Sequence, residues 1–183
     1  MNKTIVINLI GAPCAGKSTL AALVFSKLKM NNISCEIVTE FAKDLVWDES
    51  LQGLNNQLYV FSEQFYRVWR LQNKVDVIVT DSPMLLSIYY NRKQKEENKL
   101  SEKYFNPLIL ECNDKYNNLN FFVKRNHSYN NKGRRHNEEE SNKIEQDMLI
   151  LYKDMNINYQ EVVSDEESAN MIVNITKKKL GEI

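Results

Sequence analysis

Gly11-Ala12-Pro13-Cys14-Ala15-Gly16-Lys17-Ser18-Thr19 is the stretch on which the fold turns. It meets the pattern G-x-x-x-x-G-K-[ST] at each fixed position. It stands between an apolar run ending at Ile10 and a stretch from Ser18 to Met30 with apolar residues at Leu20, Leu23, Val24 and Leu28. The first run reads as a strand and the second as an amphipathic helix. Glycines let the backbone turn tightly and approach an anion closely. Successive N–H groups and the helix N-terminus then cradle phosphates. Gly11, Ala15, Gly16, Lys17, Ser18 and Thr19 are the expected binding residues. Lys17 reaches the β- and γ-phosphates of a nucleoside triphosphate, Ser18 offers its hydroxyl to Mg²⁺, and Thr19 faces an inner phosphate. Cys14, inside the loop, reads as a tolerated small residue and not as a redox switch.

Outward from this P-loop, four further strands are expected over Ser34–Thr39, Val75–Thr80, Asn120–Lys124 and Tyr159–Ser164, in addition to Thr4–Ile10. Val75-Asp76-Val77-Ile78-Val79 is β-branched and almost wholly apolar, as suits a strand covered on both faces. Helical spacing appears over Leu54–Leu71, Tyr104–Tyr116, Asn142–Met155 and Glu166–Leu180. Strands alternating with helices predict a right-handed parallel α/β sheet. Arg92–Lys103 and Asn126–Asn142 are polar stretches and read as solvated loops or helix ends. No internal repeat or linker interrupts the chain, so residues 1–183 are expected to form one domain.

Bulk properties bound the function. The chain has 183 residues, 43% hydrophobic and 26% charged, with 24 basic and 24 acidic side chains. These are globular proportions, and a formal charge of zero gives no reason for non-specific attraction to nucleic acid. Cys14, Cys35 and Cys112 are odd in number and scattered, which argues against a disulfide framework. The apolar run before Cys14 is too short for an export signal and is broken by Asn8. A soluble, cytoplasmic protein with no membrane association is expected.

Three further signals concern chemistry. Val77-Ile78-Val79-Thr80-Asp81 ends an apolar strand in an acid, the Walker B arrangement that holds Mg²⁺. Asp81 also reads as a cap of the helix announced by Ser82-Pro83. Glu40 follows the second strand, at the end of the sheet where ligands bind in open α/β folds. There it serves either as a base toward an acceptor hydroxyl or as an acid at the N-terminus of the next helix. After the fourth strand come Lys124-Arg125, Lys132-Gly133-Arg134-Arg135 and Glu138-Glu139-Glu140. Arginines on a loop beside a phosphate site clamp the transferring group and exclude water; a solvated loop is the bland reading of the same residues.

The set resembles the small P-loop kinases, especially the deoxynucleoside kinase and ribosylnicotinamide-kinase-like groups, AAA-type P-loop proteins that include phage enzymes. Those groups place a P-loop after the first strand, an acid after the second, an Asp motif after the third and an Arg-rich lid after the fourth. Gly11–Thr19, Glu40, Asp81-Ser82 and Gly133-Arg134 with Glu138-Glu139 match in that order. Two departures stand out. Ser82 occupies the place where deoxynucleoside kinases usually carry Arg, and Phe41-Ala42-Lys43 replaces their usual Pro after the second-strand acid. The resemblance implies a P-loop NTPase fold with a roughly five-stranded parallel sheet, helices on both faces and an Arg-containing lid over residues 125–142. It implies an ATP- and Mg²⁺-dependent kinase with Lys17, Glu40, Asp81, Arg125 and Arg134 as catalytic residues, and Ser18 with Asp81 at the metal. A nucleoside- or nucleotide-like acceptor is expected, with Gln57, Glu63, Gln64, Tyr66, Arg67 and Trp69 as candidate lining residues. DNA is the alternative acceptor, through a patch of Arg92, Lys93 and Lys95, and a homodimer is compatible. A nucleotide-switched NTPase is the other alternative. Asn73-Lys74-Val75-Asp76 has the letters of a guanine-reading motif but precedes the third strand instead of following a later one.

Overall fold

The computed structural model describes residues 4–129 and 137–181. Five strands, β1 (Ile5–Ile10), β2 (Cys35–Val38), β3 (Val77–Thr80), β4 (Asn117–Lys124) and β5 (Gln160–Val163), form one sheet in the order β2-β3-β1-β4-β5, with every pair parallel. Eight helices connect them among the described residues: α1 (Lys17–Met30), α2 (Phe41–Trp47), α3 (Leu51–Leu54), α4 (Gln57–Trp69), α5 (Leu86–Arg92), α6 (Glu102–Asn113), α7 (Glu138–Asp154) and α8 (Glu166–Leu180).

The period of two along β1 explains the layering. Ile5, Ile7 and Leu9 join one core with Leu20, Val24 and Leu28 of α1 and Ile172 and Val173 of α8. Val6 and Ile10 point the other way, into a core with Phe61 and Val68 of α4, Ile88 of α5, Phe105 and Ile109 of α6, and Ile144, Met148 and Tyr152 of α7. Both faces of the sheet are therefore covered, as an all-parallel sheet requires. One polar side chain interrupts β1. Buried Asn8 donates to Asn118 and Asn120 of β4 at 2.8 and 2.9 Å, so its amide is satisfied across the strand pair.

Several element boundaries differ from those expected. The stretch expected as one helix over Leu54–Leu71 divides at Asn55-Asn56. Asn56 caps α4 by accepting from Tyr59 N at 3.1 Å, the competition for backbone donors that ends helices at such residues. α7 begins at Glu138, four residues before the expected start, because Asn137 and Glu140 form a reciprocal capping box. The last part of the expected lid, 138–142, is therefore the opening of this helix, while 130–136 lie outside the described residues. α5, the helix announced by Ser82-Pro83, starts later than that signal implied, at Leu86. Its seven residues, Leu86-Ser87-Ile88-Tyr89-Tyr90-Asn91-Arg92, are nearly all buried and show no two-sided periodicity. Among the described residues no helix is long and apolar enough to cross a membrane.

Candidate functional site

The central position of β1 sets the site. Thr80 of β3 pairs with both Asn8 of β1 and Val38 of β2, so the carboxyl ends of all three strands open on one side. Gly11–Thr19, Glu40 and Asp81 leave the sheet there. β1 and β2 are separated by β3, which spaces the P-loop strand and the Glu40 strand by roughly 10 Å.

The loop is shaped by contacts that only glycine permits. Gly16, the N-cap of α1, has φ +90, and a Cβ on it would fall 2.5 Å from Ser164 Cβ. A Cβ on Gly11 would fall 2.7 Å from the Val123 carbonyl oxygen of β4. At the helix start no side chain caps the first N–H groups, and no acidic residue stands in the first turn. The positive pole of α1 therefore faces the cradle with no acidic residue of its own first turn to offset it. Lys17 Nζ donates to the Gly11 and Ala12 carbonyls at 2.8 and 2.9 Å, curled over the loop that it would leave to meet a phosphate. Thr19 is exposed beside it.

Ser18 Oγ donates to Asp81 Oδ2. Asp81 is buried, and its second oxygen, Oδ1, has no hydrogen-bond partner among the described residues. A carboxylate with one orphaned oxygen beside a serine hydroxyl is a hard-oxygen donor pair, and it fits Mg²⁺. Asp81 does not cap a helix, since α5 starts five residues later with Leu85 at its N-cap.

Glu40 occupies the N-cap position of α2, yet its side chain makes no capping hydrogen bond. Burial first, and then the Glu40 carboxylate, push the Tyr90 phenol well above its ordinary range, which places a protonated hydroxyl in the field of Glu40. The backbone around Glu40 is braced by α4. Gln64 accepts from Phe41 N at 3.0 Å, and Arg67 pairs with Asp44 and lies over the Phe41 ring at 5.0 Å. The expected lining residues of α4 thus separate. Gln64 and Arg67 are occupied by the turn after β2, Gln57 is buried, and Tyr66 and Trp69 face solvent at 54% and 52% exposure.

Arg125, just past β4, pairs with Glu138 at 3.2 Å, donates to Asn142 and covers the Tyr129 ring. Its described contacts thus fasten the start of α7 to the end of β4, and its Nη1 is buried without a hydrogen-bond partner among the described residues. Arg134 and Arg135 lie outside the described residues. In the anticipated basic patch, Arg92 pairs with Glu102 and Lys93 with Asp147, which neutralises two of its three cations. Two serines that the sequence did not single out touch the loop. Ser141 of α7 donates to the Pro13 carbonyl at 2.7 Å, and Ser164 donates to the Gly16 carbonyl at 3.0 Å. Ser164 sits at the carboxyl end of the fifth strand, a position that carries a ligand-side signal. Ser141, one serine in a polar run, carries none.

A family model described as AAA domain matches residues 6–168. The chain belongs to the AAA domain family. No curated protein sequence matches this AAA domain. Among solved structures, deoxyadenosine kinase from M. mycoides with bound dATP superposes with a TM-score of 0.59 at 17% identity, covering 96% of this chain and 99% of that one. The same enzyme with products dCMP and a flexible dCDP gives 0.58 at 18% identity, covering 97% and 100%, and its dCTP complex gives 0.57 at 15% identity over 97% and 100%. At these identities the likeness is one of fold. The AAA domain, with its five-stranded parallel sheet between helices, shares its fold with that enzyme.

Proposed function

We propose that this protein is a phosphotransferase that uses ATP with Mg²⁺ and moves the γ-phosphoryl group to a hydroxyl or phosphate of a nucleoside- or nucleotide-like acceptor. The observation that carries the reading is the Ser18–Asp81 pair. It joins the first helical turn after the P-loop to the end of β3 and leaves one buried carboxylate oxygen without a partner. The likeness in fold to a deoxyadenosine kinase supports the acceptor class.

In this mechanism the backbone N–H groups of the loop and the N-terminus of α1 bind the triphosphate. Lys17 leaves the Gly11 and Ala12 carbonyls and sets its charge against the β- and γ-phosphates. Ser18 and Asp81 would hold Mg²⁺, which when bound neutralises charge developing between the β- and γ-oxygens. The acceptor lies between the P-loop and Glu40, at the carboxyl end of the intervening strand. Glu40 orients that hydroxyl and takes its proton as the oxygen attacks phosphorus and ADP leaves. Arg125, with Arg134 proposed on sequence grounds alone, supplies positive charge on the β4 side. The effect of these groups is positioning and electrostatics, as phosphoryl transfer demands.

Transfer of labelled γ-phosphate from ATP with Mg²⁺ tests this against nucleosides, nucleoside monophosphates, ribosylnicotinamide and modified DNA. A labelled small acceptor is expected, with turnover falling about 100-fold in Glu40→Gln while ATP affinity is kept. Label on DNA alone would move the acceptor to a base or sugar in DNA. Free phosphate with no labelled acceptor would favour an NTPase.

A further inference from the structure

The P-loop backbone is held from outside by two hydroxyls. A loop that aims its N–H groups inward at an anion turns carbonyls outward, and buried carbonyls need donors. Four accept from side chains here, two of them in addition to a backbone N–H: Ala12 also accepts from Ala15 N at 3.3 Å and Gly16 from Leu20 N at 2.9 Å. Lys17 takes the carbonyls of Gly11 and Ala12, Ser141 takes Pro13, and Ser164 takes Gly16. The two kinds of bond have different fates. Lys17 gives up its pair when it reaches a phosphate. The serine bonds use no phosphate-binding group, so they remain in place while the nucleotide binds. Both serines come from elements distant in sequence. Ser141, 3% exposed, lies in the first turns of α7, and Ser164 follows β5. α7 is fastened at the same place by Arg125 to Glu138 and Asn142, so the Pro13 carbonyl is tied to a fixed point. Ser164 is also the residue that a Cβ on Gly16 would strike, so loop and clasp are fitted to each other.

We infer that Ser141 and Ser164 are positioning residues that hold the P-loop carbonyls outward and thereby set the affinity for the phosphate donor. This rests on the proposed function only in taking the loop as the ATP site. The clasp keeps the empty loop in its binding conformation, and without it the competent fraction falls and apparent affinity falls with it.

The test is calorimetric binding of Mg-ATP to the full chain and to Ser141→Ala, Ser164→Ala, the double variant, Ser141→Thr and Lys17→Ala, at a temperature where melting curves show each to be folded. Loss of one net hydrogen bond predicts a dissociation constant raised about threefold to tenfold in each alanine variant. The double variant should be weaker still, and Ser141→Thr, which keeps the hydroxyl, should bind as the parent does. In turnover assays KM for ATP should rise with kcat and KM for the acceptor unchanged, a split that mere loss of stability would not produce. Parental affinity in both alanine variants, with binding lost in Lys17→Ala, would overturn the inference and leave the proposed function standing. Parental affinity in Lys17→Ala as well would overturn both.

Discussion

Lys17 has two sets of partners available to it, loop carbonyls in the free protein and phosphates in the proposed complex. Lys17→Ala should therefore lower turnover by about two orders of magnitude or more, measured as initial rates with saturating acceptor, because charge on the transferring group loses its stabilisation. Gly16→Ala acts differently. The φ of +90 and the 2.5 Å approach to Ser164 mean that a methyl group strains the backbone and must displace β5–α8. A loss of about 1–3 kcal/mol in stability is expected from urea unfolding. The loop's place between β1 and α1 was legible in the sequence, because each fixed position of the motif has its own physical requirement. Glu40 was legible as a position but not as a role. An acid after a strand reads equally as a base or as an acid at the N-terminus of the next helix, and the structure places Glu40 at the N-cap of α2 without a capping bond, a geometry open to both. The Tyr90 hydroxyl beside it had no local signature at all.

At the scale of elements, strands were legible where apolar runs are β-branched, as in β3, and the helix over Glu166–Leu180 was anticipated at both ends. Boundaries set by single side chains were not. Asn56 divides the α3–α4 stretch and Asn137 starts α7 early, and each acts through a hydrogen bond that periodicity does not register. The link between α5 and α6 offers a test by pH. Arg92 donates to Glu102, and that hydrogen bond, more than any other influence, holds the Glu102 carboxyl below its ordinary range. A carboxyl whose folded value lies below its unfolded value of 4.5 stabilises fully above that value and loses its contribution as pH falls through the folded one. The stability difference between the parent and Glu102→Gln should thus be constant near neutrality and shrink steadily below about pH 4.5, followed as urea midpoints across an acid series.

For the molecule as a whole, the strand order β2-β3-β1-β4-β5 brings the P-loop, Asp81 and Glu40 to one end of the sheet although 70 residues separate Gly11 from Asp81. A nucleotide bound there touches only the folded state. Mg-ATP at about 100 times its dissociation constant should add about 2.7 kcal/mol and raise the melting temperature by roughly 5–10 °C. Asp81→Asn should lose most of the Mg²⁺-dependent part of that rise in a thermal shift series with and without EDTA. By itself the sequence determined the phosphate loop, the alternation of buried strands with amphipathic helices, and so the α/β class. These are written in local patterns of glycine, charge and apolar spacing. Only the tertiary structure decided which strand lies beside which, and therefore that Ser18 meets Asp81, that Arg125 is committed to α7, and that two unremarked serines grip the loop. Such contacts are fixed by strand order and by packing across the sheet, and a hydroxyl 128 residues from its acceptor leaves no trace in local spacing.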